Sequence, residues 1–269
     1  MIRTWKITKT KLDEIHFDDE ASLDAVTRQL PDGFYSTFRT YDACTRVIGL
    51  SAHLRRLPTA DASLLRPSLL LLLQPFLPDE ARVRVMETRS GEVYIAIEPL
   101  KLLPREVYEN GVRVETAAIQ RINPRIKSTT FIAASDAERK HIAQEGIFEA
   151  LLVKNGRILE GMTSNFFYVA QVGNLRCVGT ARKDILLGVT RSMVIRAARG
   201  RDVEVRYRAL KLDQLSGVKE AFITSSSRGV VPVVQIDDVV IEEGRVGQIT
   251  IELMRAYEEY VLSHAEKIA

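Results

Sequence analysis

The run Phe148–Glu160, FEALLVKNGRILE, constrains the fold more than any other stretch of the chain. Two β-rich segments flank Asn155-Gly156, a pair suited to the two-residue hairpin turn in which both central residues need positive φ. A second hairpin is predicted in SNFFYVAQVGNLRCVGT, turning at Gly173-Asn174. Helical patterns alternate with these strands: FIAASDAERKHIAQEGI closed by Gly146, GVTRSMVIRAARG ending at Gly200, and a last helix from Gln248 to about His264. EVRYRAL, KEAFITSSS and VVPVVQIDDVVI add strands, with ALKLDQLSG as a short helix between the first two. The class is therefore α/β (α+β), without an internal repeat.

The amino-terminal third is less regular, and Met1 to about Leu30 carries little pattern. LPDGFYSTFRTYD joins turn chemistry to an alternating strand, which puts Tyr35, Thr37 and Arg39 on one face. That face looks either into a cavity or into solvent. RVIGLSAHLRRLPTADASLL begins a helix with Ser51 as N-cap and Arg55 and Arg56 in its first turns; His53 is read as a packing or surface histidine. Leu69 to Leu77 continues as buried helix, its leucine run far shorter than the ~20 residues that span a bilayer. ARVRVMETRSGEVYIAIEPL reads as two strands joined at Ser90-Gly91, and GVRVETAAI as another ending at Ile119. QRINPRIK then serves as a domain junction, dividing the 269 residues into domains 1–119 and 127–269 with a linker at 120–126.

Charge and cysteine content narrow the functional classes. With 38 basic and 35 acidic residues, and no basic block interleaved with aromatics, nucleic acid is not an expected partner. Cys44 and Cys177 lie far apart outside any CxxC pattern, so neither a disulfide framework nor a zinc site is indicated, and a reducing cytoplasm fits. The amino terminus lacks the unbroken apolar segment of a secretion signal, and no membrane anchor is expected. GxSxG, HExxH, Walker and GxGxxG motifs are absent, and the four histidines lack metal-ligand spacing.

Two residues stand in settings that a solvated surface does not explain. Lys127 lies between an apolar residue and a hydroxyl cluster in RIKSTTF, where desolvation would turn an amine into a nucleophile. Glu160 ends a strand before a glycine, with Asn165 beyond it, and a carboxylate there can hold a proton on a heterocyclic nitrogen. LLGVTR offers free amides at a helix start for a phosphate, and ITSSSRG offers three hydroxyls after a strand. Each has an ordinary alternative: a surface lysine, a strand-end glutamate, a common helix start, a serine turn.

Taken in order, DGFYSTFRTYD, AHLRRL, IKSTTF, EALLVKNGRILEGMTSNFFYV, ILLGVTR, FITSSSRGVVPV and EEGRVGQIT resemble the successive blocks of the class IV (fold type IV) pyridoxal-phosphate enzymes. These are the branched-chain aminotransferases, D-amino-acid aminotransferases and aminodeoxychorismate lyases. The resemblance implies a small amino-terminal α/β domain, a larger barrel-like carboxy-terminal domain that binds the cofactor, pyridoxal 5'-phosphate in the cleft between them, and a homodimer. By the same resemblance Lys127 is the Schiff-base lysine and proton shuttle, and Glu160 the partner of the pyridine nitrogen. Arg56 would bind the phosphate with Val189, Thr190 and Ser226, while Tyr35, Thr37, Arg39 and Ser227 would line the substrate pocket.

The sequence also departs from the family. Phe131 and Ile132 stand where many transaminases have a tyrosine, and Ser36 where branched-chain enzymes have a glutamate. Arg228 follows an unusual serine run and points to a second substrate carboxylate. The expected activity is amino transfer between a small amino acid, branched-chain-like or of D configuration, and a 2-oxo acid. A lyase releasing pyruvate from aminodeoxychorismate and a non-catalytic binding relative are the alternatives.

Overall fold

The computed structural model describes residues 1–172, 175–201 and 203–268, and the expected turn at Gly173-Asn174 lies outside them. The chain forms two compact units. One comprises Met1–Lys101, Ile126–Ala134 and the residues from Val261 onward; the other comprises Leu102–Arg125 and Ser135–Tyr260. These boundaries differ from the division at 120–126. The strand Val112–Ala117 pairs in parallel with Gly229–Ile236 and Glu149–Lys154, which ties the chain before the expected linker to the second unit. The segment after it is bonded to a strand of the first.

The first unit is built on an antiparallel sheet in the order Leu12–Ile15, Arg3–Ile7, Val93–Pro99, Ala81–Thr88, Gly33–Arg39. The weakly patterned start of the chain thus supplies two strands and a short helix, Leu23–Arg28, capped by Ser22. Val83, Val85, Ile95 and Ile97 on one sheet face pack in a core with Leu50, Leu54, Leu65 and Leu69. The expected long leucine-rich helix is in fact two, Leu50–Leu54 and Ala62–Leu73, separated by a segment containing Pro58. Proline disfavours helical geometry in the residue before it and cannot donate to the ladder. Gly49, with φ of 66°, precedes the first of these helices in place of the expected Ser51 cap. The Ser51 hydroxyl instead donates to Glu266 Oε2 at 2.5 Å. The second helix buries Leu65, Leu69, Leu72 and Leu73 on one side and leaves Leu71 62% exposed, so it is amphipathic rather than buried all round.

The second unit carries a ten-stranded mixed sheet. Its path runs Glu204–Arg206, Leu175–Thr180, Asn165–Val172, Glu220–Ser225, Gly229–Ile236, Val112–Ala117, Glu149–Lys154, Arg157–Gly161, Leu210–Lys211, with Val239–Val240 hairpinned onto Gly229–Ile236. The two edge strands of that path, Glu204–Arg206 and Leu210–Lys211, are joined through Tyr207, Arg208 and Ala209 alone. Such a link spans at most about 14 Å, whereas eight flat inter-strand spacings would part the edges by about 38 Å. The sheet must therefore curl, and it forms a half-barrel. The Asn155-Gly156 turn has φ of 51° and 66°, as its hairpin chemistry requires. The expected helix through FIAASDAERKHIAQEGI is interrupted at Ser135: Thr130–Ala134 belongs to the first unit and Asp136–Gln144 to the second. Among the described residues no helix is long and apolar enough to cross a membrane, and no cluster of three His, Cys, Asp or Glu residues could hold a metal.

Candidate active site

In the first unit, Lys127 is held by backbone pairing to the edge strand Gly33–Arg39. The Tyr35 N–H donates to Lys127 O at 3.0 Å, and the Thr129 N–H donates to Gly33 O at 3.0 Å. The Gly33 N–H in turn donates to Thr129 Oγ1 at 2.9 Å. The hydroxyl-rich sequence after Lys127 thus anchors its backbone. The Lys127 Nζ lies 4.9 Å from the centre of the Tyr35 ring, and the Arg84 guanidinium lies 4.7 Å from the same centre. Two cations on one phenol ring make Tyr35 an electrostatic partner of both.

Tyr35 and Thr37 share a face, as strand alternation requires. Tyr35 is buried with Leu23, Val26, Met86 and Ile132, so part of this face is covered by the helix Leu23–Arg28. Thr37 accepts a bond from Arg84 Nε at 3.0 Å, and Arg84 Nη1 pairs with Asp24 at 2.7 Å. Arg39, farther along the strand, is half-buried with its guanidinium 4.6 Å from the Tyr41 ring centre.

Arg56 follows the helix Leu50–Leu54, and its N–H donates to His53 O at 3.3 Å. Burial lowers the Arg56 guanidinium to about 10, with the Tyr35 phenol acting in the opposite sense. His53 is fully buried, and its Nδ1 is 2.8 Å from the Ser36 hydroxyl. Burial, and then the charges of Arg56 and Lys127, hold the imidazole well below its ordinary 6.5, so it is neutral.

In the second unit, Glu160 is 2% exposed. Its Oε1 accepts from Arg121 Nε at 3.0 Å, while Oε2 accepts from the Leu186 N–H at 3.0 Å and from Asn165 Nδ2 at 3.3 Å. Arg121 also donates to Met162 O at 2.7 Å, and Asn165 to Leu186 O at 2.7 Å. The carboxylate is thus fixed in position by a cation and by neutral donors.

The expected phosphate groups of this unit also meet. Val189 and Thr190 open an eleven-residue helix whose cap, Gly188, supplies no side-chain bond, and Thr190 Oγ1 lies 3.4 Å from Ser226 Oγ. Unpaired amides at the start of a helix this long favour an anion. Ser226 and Ser227 are half-buried in the turn that precedes Gly229. Arg228 is engaged elsewhere: its guanidinium donates to Glu149 Oε2 at 3.2 Å, to Thr163 Oγ1 at 2.6 Å and to Ser225 Oγ at 3.1 Å. A substrate carboxylate would have to compete with the buried Glu149 for it.

Sequence reasoning missed Arg121, the Leu186 amide, Glu149 and the Ser36–His53 pair. Arg121 stands in a stretch read as a linker, and a backbone amide carries no sequence signal at all. A polar Ser36 between Phe34 and Phe38 on one strand face was the available hint for the buried pair.

Comparison with known proteins bears on this geometry. The family described as Amino-transferase class IV matches residues 33–236. A Thermotoga maritima protein named as a probable branched-chain-amino-acid aminotransferase is 29% identical over 265 residues, covering 92% of this chain and 94% of its own. The D-alanine aminotransferase of Bacillus licheniformis is 31% identical over 166 residues, 61% of this chain and 57% of that one. In fold, the chain resembles the pyridoxal-phosphate-bound form of a hypothetical aminotransferase from Mycobacterium tuberculosis, with TM-score 0.77, 20% identity and coverage of 97% and 99%. These findings favour a transaminase over the lyase and the binding protein.

Proposed function

The chain belongs to the class IV aminotransferases, which depend on pyridoxal phosphate, and on that premise we propose that Lys127 carries the cofactor, Glu160 holds its ring nitrogen, and Arg56, Val189, Thr190 and Ser226 hold its phosphate. The observation that carries this reading is the buried Glu160 fixed by Arg121, Asn165 and the Leu186 amide. A carboxylate kept in that state accepts an N–H from a heterocycle. Each of the other groups suits one part of such a molecule: a half-buried guanidinium at Arg56, amides at a helix start, and an amine at Lys127 set against Tyr35.

When bound, pyridoxal phosphate supplies an aldehyde that condenses with amines and a ring that accepts the electron pair left on the substrate α-carbon. Lys127 would hold the cofactor through its amine and, once freed, would accept and move the proton of the substrate α-carbon. Glu160, held by Arg121, Asn165 and the Leu186 amide, would favour a proton on the ring nitrogen. Tyr35, Thr37, Arg39 and Ser227 orient the substrate, and Arg228 reaches a second carboxylate only by leaving Glu149. The substrates are a small amino acid, branched-chain-like or D-configured, and a 2-oxo acid, in keeping with the names of the relatives. The working form is a homodimer in a reducing cytoplasm, consistent with two free and buried cysteines.

Absorption spectroscopy tests the reading directly. Adding pyridoxal phosphate to the apoprotein should produce a long-wavelength band that Lys127→Ala abolishes; the same band in the variant would reject Lys127. Amino donors supplied with 2-oxoglutarate should exchange amino groups, and pyruvate release from aminodeoxychorismate without such exchange would reject the transaminase.

A further inference from the structure

Beside Arg56 lies a buried polar atom that the reading above leaves unexplained. His53 is fully buried, and its Nε2 has no hydrogen-bond partner. Buried ring nitrogens are nearly always paired, because an unpaired one loses its hydration without replacement. The other nitrogen is satisfied by Ser36, itself 0% exposed, at 2.8 Å. The neutral ring therefore has one N–H to place, and Ser36 decides where. If the serine hydroxyl donates to Nδ1, the proton resides on Nε2 and the open nitrogen is a donor.

His53 and Arg56 are three residues apart and share the tight turn closed by the Arg56 N–H to His53 O bond. The charge of Arg56 acts on the His53 imidazole, which puts the two side chains near one another. A neutral N–H next to a desolvated guanidinium is suited to an anion, since it adds a directed bond without adding a second repelling charge. We propose that His53 is a further cofactor-binding residue, donating from Nε2 to the phosphate beside Arg56, with Ser36 as the positioning residue that fixes its tautomer. This rests on the assignment of the phosphate to Arg56.

The test compares apoprotein affinities for pyridoxal phosphate and for pyridoxal, which lacks the phosphate. His53→Phe should weaken pyridoxal phosphate binding about tenfold or more, the usual effect of losing a hydrogen bond to a charged group, and leave pyridoxal binding unchanged. His53→Gln, whose amide can supply a donor, should restore most of the difference, and Ser36→Ala should lose part of it. In the wild-type apoprotein, ¹⁵N spectra should find the proton of His53 on Nε2, and inorganic phosphate should shift that resonance. Equal loss of both affinities in His53→Phe, or a proton on Nδ1, overturns the proposal. Arg56→Gln separates the two layers: if it lowers the phosphate preference while His53→Phe does not, the Arg56 assignment stands and the role of His53 falls. If His53→Phe does not fold, the glutamine and Ser36→Ala variants with the ¹⁵N spectra decide.

Discussion

His53 has a thermodynamic signature that does not depend on any cofactor. The ring is buried and neutral, faced by the positive charges of Arg56 and Lys127, with uncharged Ser36 and Phe38 against it. Its folded pKa lies below the unfolded value of about 6.5, so the unfolded chain binds the proton first as pH falls. Stability from this group is complete above about 6.5 and is lost below it, by up to ~1.4 kcal/mol per pH unit. Urea unfolding of the apoprotein at about pH 7 and about pH 5.5 should show that loss in the wild type and a smaller one in His53→Gln; equal losses would refute the assignment. At this scale Lys127 and Glu160 stand out in the sequence because their neighbours are unusual for a surface lysine and glutamate, and the structure finds Glu160 buried. Arg121 does not, since its partner Glu160 lies 39 residues away and no local period connects them.

The strand and helix signals were strongest where the chain chemistry is local. The Asn155-Gly156 hairpin, the helix Val189–Arg199 with glycine at both ends, and the last helix Gln248–His264 follow from turn residues and apolar spacing. One element failed to match for a reason outside its own sequence: the helix after Lys127 breaks at Ser135, where the chain passes from one compact unit to the other. Gly188 shows how closely one element fits its neighbour, since a Cβ there would lie 2.0 Å from Asn165 Oδ1. Its backbone is extended with φ of −63°, so alanine is opposed by this contact rather than by backbone strain. Gly188→Ala should displace the start of the helix Val189–Arg199 and, if that helix start holds the phosphate as proposed, weaken pyridoxal phosphate binding at least about tenfold, ~1.4 kcal/mol, with the circular dichroism spectrum unchanged. Wild-type affinity in the variant would show that this helix start does not serve the cofactor.

The homodimer proposal makes its prediction at the scale of the whole molecule. Light scattering should give a concentration-independent mass twice the 30.3 kDa of one chain, and a monomer at micromolar concentration would reject it. The curl of the ten-stranded sheet also belongs to this scale, because it follows from two edge strands linked by three residues and from no single strand's composition. Turn chemistry and side-chain period settle such features as the Asn155-Gly156 hairpin, the alternation along Gly33–Arg39 and the order of the motif blocks within the chain itself, since each acts over a few residues. Tertiary structure alone decided that Lys127 is fastened to Gly33–Arg39, that Tyr35 packs beneath Leu23 and Val26, and that Glu160 is held by Arg121. Those contacts join residues that lie beyond one another's turn or side-chain period, so no local signal specifies them.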